Sequence, residues 1–357
     1  MNKKYMVMFG TVIGFVLIVL LTVTILSSCN KKLSNESIEK KMVSAAKKYA
    51  EKEKVKTGEN VTVDIDKLVE KGYMKELSKY TDDKCGGYVK IYNNSGVMNY
   101  LPYLECSKYK TKTLGQKMID DSLTGDYENV NGGLFNENGE YIFKGKSPRN
   151  YVKVGSKVFL AFRIDAEGDL KLLYPDSLEQ EVVWDNKYNG ETKSRTGEND
   201  YEISYVKDYL YNYVYKKYSD NVKKHIIPKS ICIGKRENSE IVLSNVSDCT
   251  NKIDNQYIGL INTSDYALAS LDKDCTSVIS GDCYNFNYLK GNLKHTWTLN
   301  AVKNNTYQTI AYNNGYLRAE DVGELDSVQP VLYISGDEIY DKGNGTKESP
   351  YEFKEFK

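Results

Sequence analysis

The chain has 357 residues, 40% hydrophobic and 27% charged, which is enough apolar material for two or three packed domains and excludes disorder throughout. Lys+Arg and Asp+Glu both number 49, so no global field draws the protein to nucleic acid or another polyanion. The 31 tyrosines suit a sugar-binding or adhesive surface, and equally an ordinary set of half-buried rings.

In chain order, the first element is an apolar run, YMVMFGTVIGFVLIVLLTVTIL, spanning Tyr5–Leu26 just after Lys3 and Lys4. It is apolar all round and of membrane-spanning length, and only a bilayer hides every face of such a helix while its own hydrogen bonds satisfy the backbone. Lys3 and Lys4 favour a cytoplasmic N-terminus, while Lys31 and Lys32 reduce the charge asymmetry. Residues 1–29 are therefore expected to be a signal or membrane anchor; the paired cysteines that follow in the chain imply that its bulk is outside the cell membrane.

Leu26-Ser27-Ser28-Cys29 resembles the bacterial lipobox, which implies lipidation of Cys29 after cleavage. Two anchors stay open, a lipid on Cys29 or an uncleaved transmembrane helix. Without Cys29 the other six of the seven cysteines fall as sequence-near pairs: Cys85 with Cys106, Cys232 with Cys249, and Cys275 with Cys283. Three local disulfides in an oxidising compartment are expected, and no Cys-x-x-Cys spacing suggests zinc.

Residues 30–110 read as a small helix-plus-hairpin domain. Asn35 or Ser34 caps a helix with Ile38, Met42, Ala45, Ala46 and Tyr49 on one face. Gly87–Tyr92 and Val97–Cys106 form a hairpin around Asn93-Asn-Ser-Gly96, its open ends within reach of a disulfide. An apolar helix, an amphipathic continuation and a disulfide-tied sheet resemble type IV pilins and pseudopilins in outline. Gly14-Phe15 is followed by Val19 where prepilin peptidase substrates carry Glu.

Residues 111–140 are expected to be a glycine-punctuated linker, and 141–357 a larger α+β domain. Lys157–Ile164 and Leu170–Tyr174 read as a hairpin through Asp165-Ala-Glu-Gly-Asp169. Its acids Asp165, Glu167 and Asp169 are assigned to a tight turn rather than calcium. Ser204 caps a helix to about Lys217 with Val206, Leu210, Tyr213 and Val214 inward. Tyr211, Tyr215 and Tyr218 then form an opposite stripe, which either packs internally or offers a candidate binding surface.

A strand near Ile258–Ile261 leads into a capped helix over Thr263–Ala269. Trp297-Thr-Leu299, a hairpin over 309–317 and Val328–Ile334 supply late strands. Trp297-Thr298, Gln329-Pro330-Val331 and the closing Gly343-Asn-Gly-Thr-Lys-Glu-Ser-Pro-Tyr351 resemble surface modules of Gram-positive bacteria related to the C-type-lectin-like fold. That resemblance implies a compact α+β domain over about 140–357. Gln329 stands where those modules carry arginine, and the lectins' Glu-Pro-Asn or Gln-Pro-Asp calcium-sugar signature is absent.

His225 and His295 are read as surface or strand-end residues, and Trp184-Asp185 as a core ring with a turn-forming acid. No catalytic motif, metal set or cofactor site is identified, and the chain is not read as an enzyme. The expected role is membrane-tethered binding or adhesion to an extracellular protein or glycan. A pilin-like or secretion-assembly component is the alternative, and an envelope-polymer enzyme is less favoured.

Overall fold

A computed structural model describes residues 32–94, 96–122, 132–176, 178, 180–187, 197–237, 248–277, 280–291, 295–313 and 316–356. The expected anchor Tyr5–Leu26, Cys29 and the Gly14–Val19 stretch lie outside them. Among the described residues no helix is long and apolar enough to cross a membrane. The architecture is mixed α+β, rich in antiparallel sheet with few helices, and it divides into two units.

The first unit holds described residues 32–53, 62–89 and 102–110. Its helix α1 (Asn35–Glu53) buries Ile38, Met42, Ala45 and Ala46, the spacing that keeps one face of a 3.6-residue repeat inward. Ser34 is the residue that starts it, its hydroxyl accepting from the Ser37 amide. The buried Glu39 accepts the Tyr109 hydroxyl at 2.7 Å. Strand β1 (Asn60–Asp64) runs into helix α2 (Ile65–Glu70), which buries Ile65 and Leu68. Of the hairpin β2 (Cys85–Asn94) and β3 (Val97–Cys106), the open end, Cys85–Val89 with Pro102–Cys106, belongs to this unit and is closed by Cys85–Cys106.

The second unit comprises 54–61, 90–101 and everything described from 111 onward. The expected linker 111–140 is corrected here, because apolar side chains within it supply part of the main core. Helix α3 (Leu114–Ser122) contributes Leu114 and Met118, and β4 (Gly132–Glu137) contributes Leu134. After β4 come β5 (Glu140–Gly145), β6 (Tyr151–Val154), β7 (Lys157–Ile164), β8 (Leu170–Leu173) and the short β9 (Val182–Val183). Ser204 caps helix α4 (Tyr205–Tyr209), and α5 (Asp220–Lys223) precedes β10 (Ile226–Ile227), β11 (Lys229–Cys232) and β12 (Lys252–Gln256).

Helix α6 (Thr263–Leu268) is followed by the three-stranded sheet β13 (Thr296–Ala301), β14 (Gln308–Asn313) and β15 (Tyr316–Asp321). The chain finishes with β16 (Leu325–Asp326), β17 (Val331–Ile334), β18 (Tyr340–Lys342) and β19 (Glu352–Phe353). The principal sheet is ordered β10-β17-β8-β7-β5-β4, with β6 also paired to β7. The β7–β8 hairpin turns at Asp165–Asp169 as the sequence suggests, and its register sets Arg163 opposite Lys171.

Trp184 and Trp297 are fully buried in this unit, their ring nitrogens donating to the carbonyls of Thr298 and Val182 respectively. The closing motif has a specific reason for its glycines. A Cβ on Gly343 would meet the Pro350 carbonyl oxygen at 1.9 Å, and one on Gly345 the Arg149 oxygen at 2.5 Å, both at positive φ. That tight loop drives Tyr351 inward, where its hydroxyl donates to Asp121 at 2.7 Å and its backbone pairs with β6.

Candidate functional site

The β7–β8 hairpin sets two cations side by side on one face of a sheet, in strands that are otherwise apolar. Arg163 and Lys171 are each only 6% exposed. Two buried like charges are tolerable only with a carboxylate between them, and α6 supplies it. Asp265 is the third residue of that helix, where its carboxylate accepts from the Asn262 amide at 3.0 Å and completes a capping box. The same carboxylate puts one oxygen 2.9 Å from Arg163 Nη2 and the other 2.8 Å from Lys171 Nζ.

Glu140, at the start of β5, accepts from Arg163 Nη1 at 2.9 Å. Lys171 also lies 5.1 Å from the Phe162 ring centre and 5.8 Å from that of Tyr333. Burial disfavours charge on all three members of the triad. Their mutual attraction prevails, holding Asp265 below the usual carboxylate range and Lys171 and Arg163 above theirs.

Above this floor is a cleft of about 510 Å³. On its rim Lys229 Nζ sits among the turn acids, 2.8 Å from both Asp165 and Asp169 and in contact with Glu167. The three carboxylates converge within 4.8 Å of one another, and a lysine ammonium is the cation they hold. On the other side Arg236, fully buried, pairs with Asp248 at 2.5 Å, and Asp248 also receives the Ser264 hydroxyl and amide at the start of α6. The Cys232–Cys249 disulfide ties the same wall. A second cleft, of about 660 Å³ in the first unit, is lined by Asp64, Asp66, Glu70 and Glu76, all of them exposed.

No family model, curated protein or solved structure matches the chain. The chemistry of the site therefore rests on its own residues.

The six paired cysteines form Cys85–Cys106, Cys232–Cys249 and Cys275–Cys283, the sequence-near pairs. The tyrosine stripe is corrected. The segment after Ser204 passes from α-helix through a π-helical stretch, Leu210–Val214, into a 3₁₀ turn, Tyr215–Lys217. The wider π turn rotates the residues after it, so Tyr215 and Tyr218 are buried with Val214, whereas Tyr213 is 56% exposed. Tyr211 remains exposed, but its ring stacks on Tyr215 at 5.5 Å and carries Lys216 at 5.1 Å. No open three-ring platform results.

His225 is corrected too. It is buried, with Nδ1 2.7 Å from Glu338 and Nε2 3.0 Å from Glu355. Burial opposes its charge, but the two carboxylates raise its pKa to about 9. His295 is half-exposed, 4.0 Å from Asp326. Asp185 accepts from the amides of Glu198 and Tyr205, a loop-fixing role consistent with a turn-forming acid. Arg163, Lys171 and Asp265 escape a reading of the sequence alone. The available signal is a charged residue inside each of two apolar strands, Lys157–Ile164 and Leu170–Leu173.

Proposed function

We propose that this chain is a membrane-tethered extracellular binding protein whose larger unit, a C-type-lectin-like module in outline, takes a polar ligand in the cleft over Arg163, Lys171 and Asp265. The observation that carries the reading is the fixed charge of that cleft. Buried cations and carboxylates hold one another at set positions before any ligand arrives, which lowers the ordering cost of recognition. Three disulfides fit an oxidising compartment and support an exterior location for the bulk of the chain.

The test is binding of the full chain, in detergent micelles, to glycan and peptide arrays, repeated with Arg163→Lys. Signal lost with the substitution is expected; arrays blank for the native protein refute the reading. Intact mass of membrane-extracted protein decides the anchor, a diacylated start at Cys29 or an uncleaved start at Met1.

The long helix α1 and the disulfide-tied hairpin β2–β3 favour a second reading, a pilin-like assembling subunit. Co-purification of partner subunits with the full chain tests it.

A further inference from the structure

We propose that the cleft selects a carboxylate, presented by an acidic sugar or by the C-terminus of a peptide. The inference rests on the binding reading above and specifies its ligand. Arg163 is the residue that carries it. Nη1 donates to Glu140, but Nε has no acceptor among the described residues, and Nη2 lies 2.9 Å from Asp265 without the alignment of a hydrogen bond. Nε and Nη2 form the edge of a guanidinium that grips a carboxylate side-on through two parallel hydrogen bonds. Asp265 does not fill that fork, because its second oxygen is turned to Lys171 and to the amide that caps α6.

The acids around the cleft are already matched. Glu140 faces Arg163, Asp265 bridges the two buried cations, Asp165, Glu167 and Asp169 surround Lys229, and Asp248 holds Arg236. Unmet capacity on the floor is thus on the donor side. A hydroxyl offers that fork one acceptor where a carboxylate offers two in its plane. A phosphate dianion adds a second charge beside Glu140 and Asp265, so a monoanion fits better. Both nitrogens are covered from solvent, so side chains over them, and not the Arg163–Asp265–Lys171 triad itself, must move aside to admit the ligand, and association is expected below about 10⁵ M⁻¹s⁻¹.

Isothermal titration of the full chain in micelles with D-glucuronate and with N-acetylalanine, each against its uncharged amide, tests the proposal and separates the two sources. At least one acid is expected to bind tenfold or more tightly than its amide, and Arg163→Lys is expected to remove that preference. Should the variant fail to fold, the acid–amide comparison on the native protein decides alone. Equal binding of acid and amide, inorganic phosphate binding more tightly than either acid, or an unchanged preference in a folded Arg163→Lys protein overturns it. Neutral glycans binding in the cleft while acids are ignored would overturn the carboxylate inference and leave the binding reading standing. Titrations and arrays both blank would remove the two together.

Discussion

Asp265→Asn changes one atom and leaves the side-chain volume and a capping oxygen in place, yet it removes the carboxylate that touches both buried cations. Arg163 keeps Glu140; Lys171 is left with the Asn262 oxygen at 3.3 Å and two aromatic rings. Two unit charges on adjacent strands, on the order of 5 Å apart, repel by roughly 3 kcal/mol at an effective dielectric of about 20. Breaking a buried pair by deleting one partner costs about 3–5 kcal/mol, so the substitution is expected to destabilise by that amount. For a unit of this size the loss corresponds to roughly 6–20 °C in Tm. The chain has two tryptophans, Trp184 and Trp297, both buried in the larger unit, so their fluorescence in a urea titration reads that unit alone. Lys171→Met in the Asp265→Asn background is expected to restore about half the loss by removing the orphaned charge. A cost under about 1 kcal/mol for Asp265→Asn, or no recovery in the double variant, would refute the account of the triad. The sign with pH comes from the lowered Asp265 pKa: its contribution is complete above the ordinary aspartate value of 3.8 and is lost as the pH falls below it.

His225 behaves with the opposite sign. Its pKa, raised to about 9, makes the imidazolium stabilising in full below the ordinary histidine value of 6.5, and that contribution fades as the pH rises through 9. The stability gap between the native protein and His225→Gln should therefore be widest near pH 6 and shrink by pH 10; an imidazole titrating below pH 7 by NMR would contradict the burial between Glu338 and Glu355. Gly345→Ala forces a side chain against the Arg149 carbonyl at positive φ, and a loss of at least about 2 kcal/mol is expected in the same urea assay. Tyr351→Phe deletes a single half-buried hydrogen bond to Asp121 and should cost about 1 kcal/mol. Thiol counting without reductant should find none of the six paired cysteines free, and Cys232→Ala with Cys249→Ala, opening a 17-residue separation, should cost about 3 kcal/mol.

Much of the fold was legible wherever a short-range rule governs it. The face of α1, the β2–β3 and β7–β8 hairpins, the Ser204 cap and the nearby cysteine pairs all arise from spacings of a few residues. A linker reading of 111–140 follows from its glycines, but those at 132, 133 and 139 signal turns equally well inside a hairpin, and the apolar Leu114, Met118 and Leu134 are too sparse to announce a core position. A tyrosine stripe follows from an unbroken α-helical period, whereas a π turn at Leu210–Val214 shifts that phase without any residue that marks it. The floor of the cleft depends on an Arg163–Asp265 approach across about a hundred residues of chain, which no local period encodes; a charge set within an apolar strand was the trace it left. His225 was hidden for the same reason, since both its partners lie more than a hundred residues downstream.

The seating of β17 between β8 and β10 has a consequence in time. Leu173 and Val331 are register partners, so the principal sheet stays open until nearly the whole chain has been made. At about 5–20 residues per second that interval is roughly 8–32 s, during which β8 and, once made, β10 lack the strand that joins them. The cysteine pairs, 21, 17 and 8 residues apart, do not have to wait for it. Each thiol meets its mate within a short loop while the sheet is still unfinished, so correct oxidation does not depend on the order in which distant parts of the protein arrive.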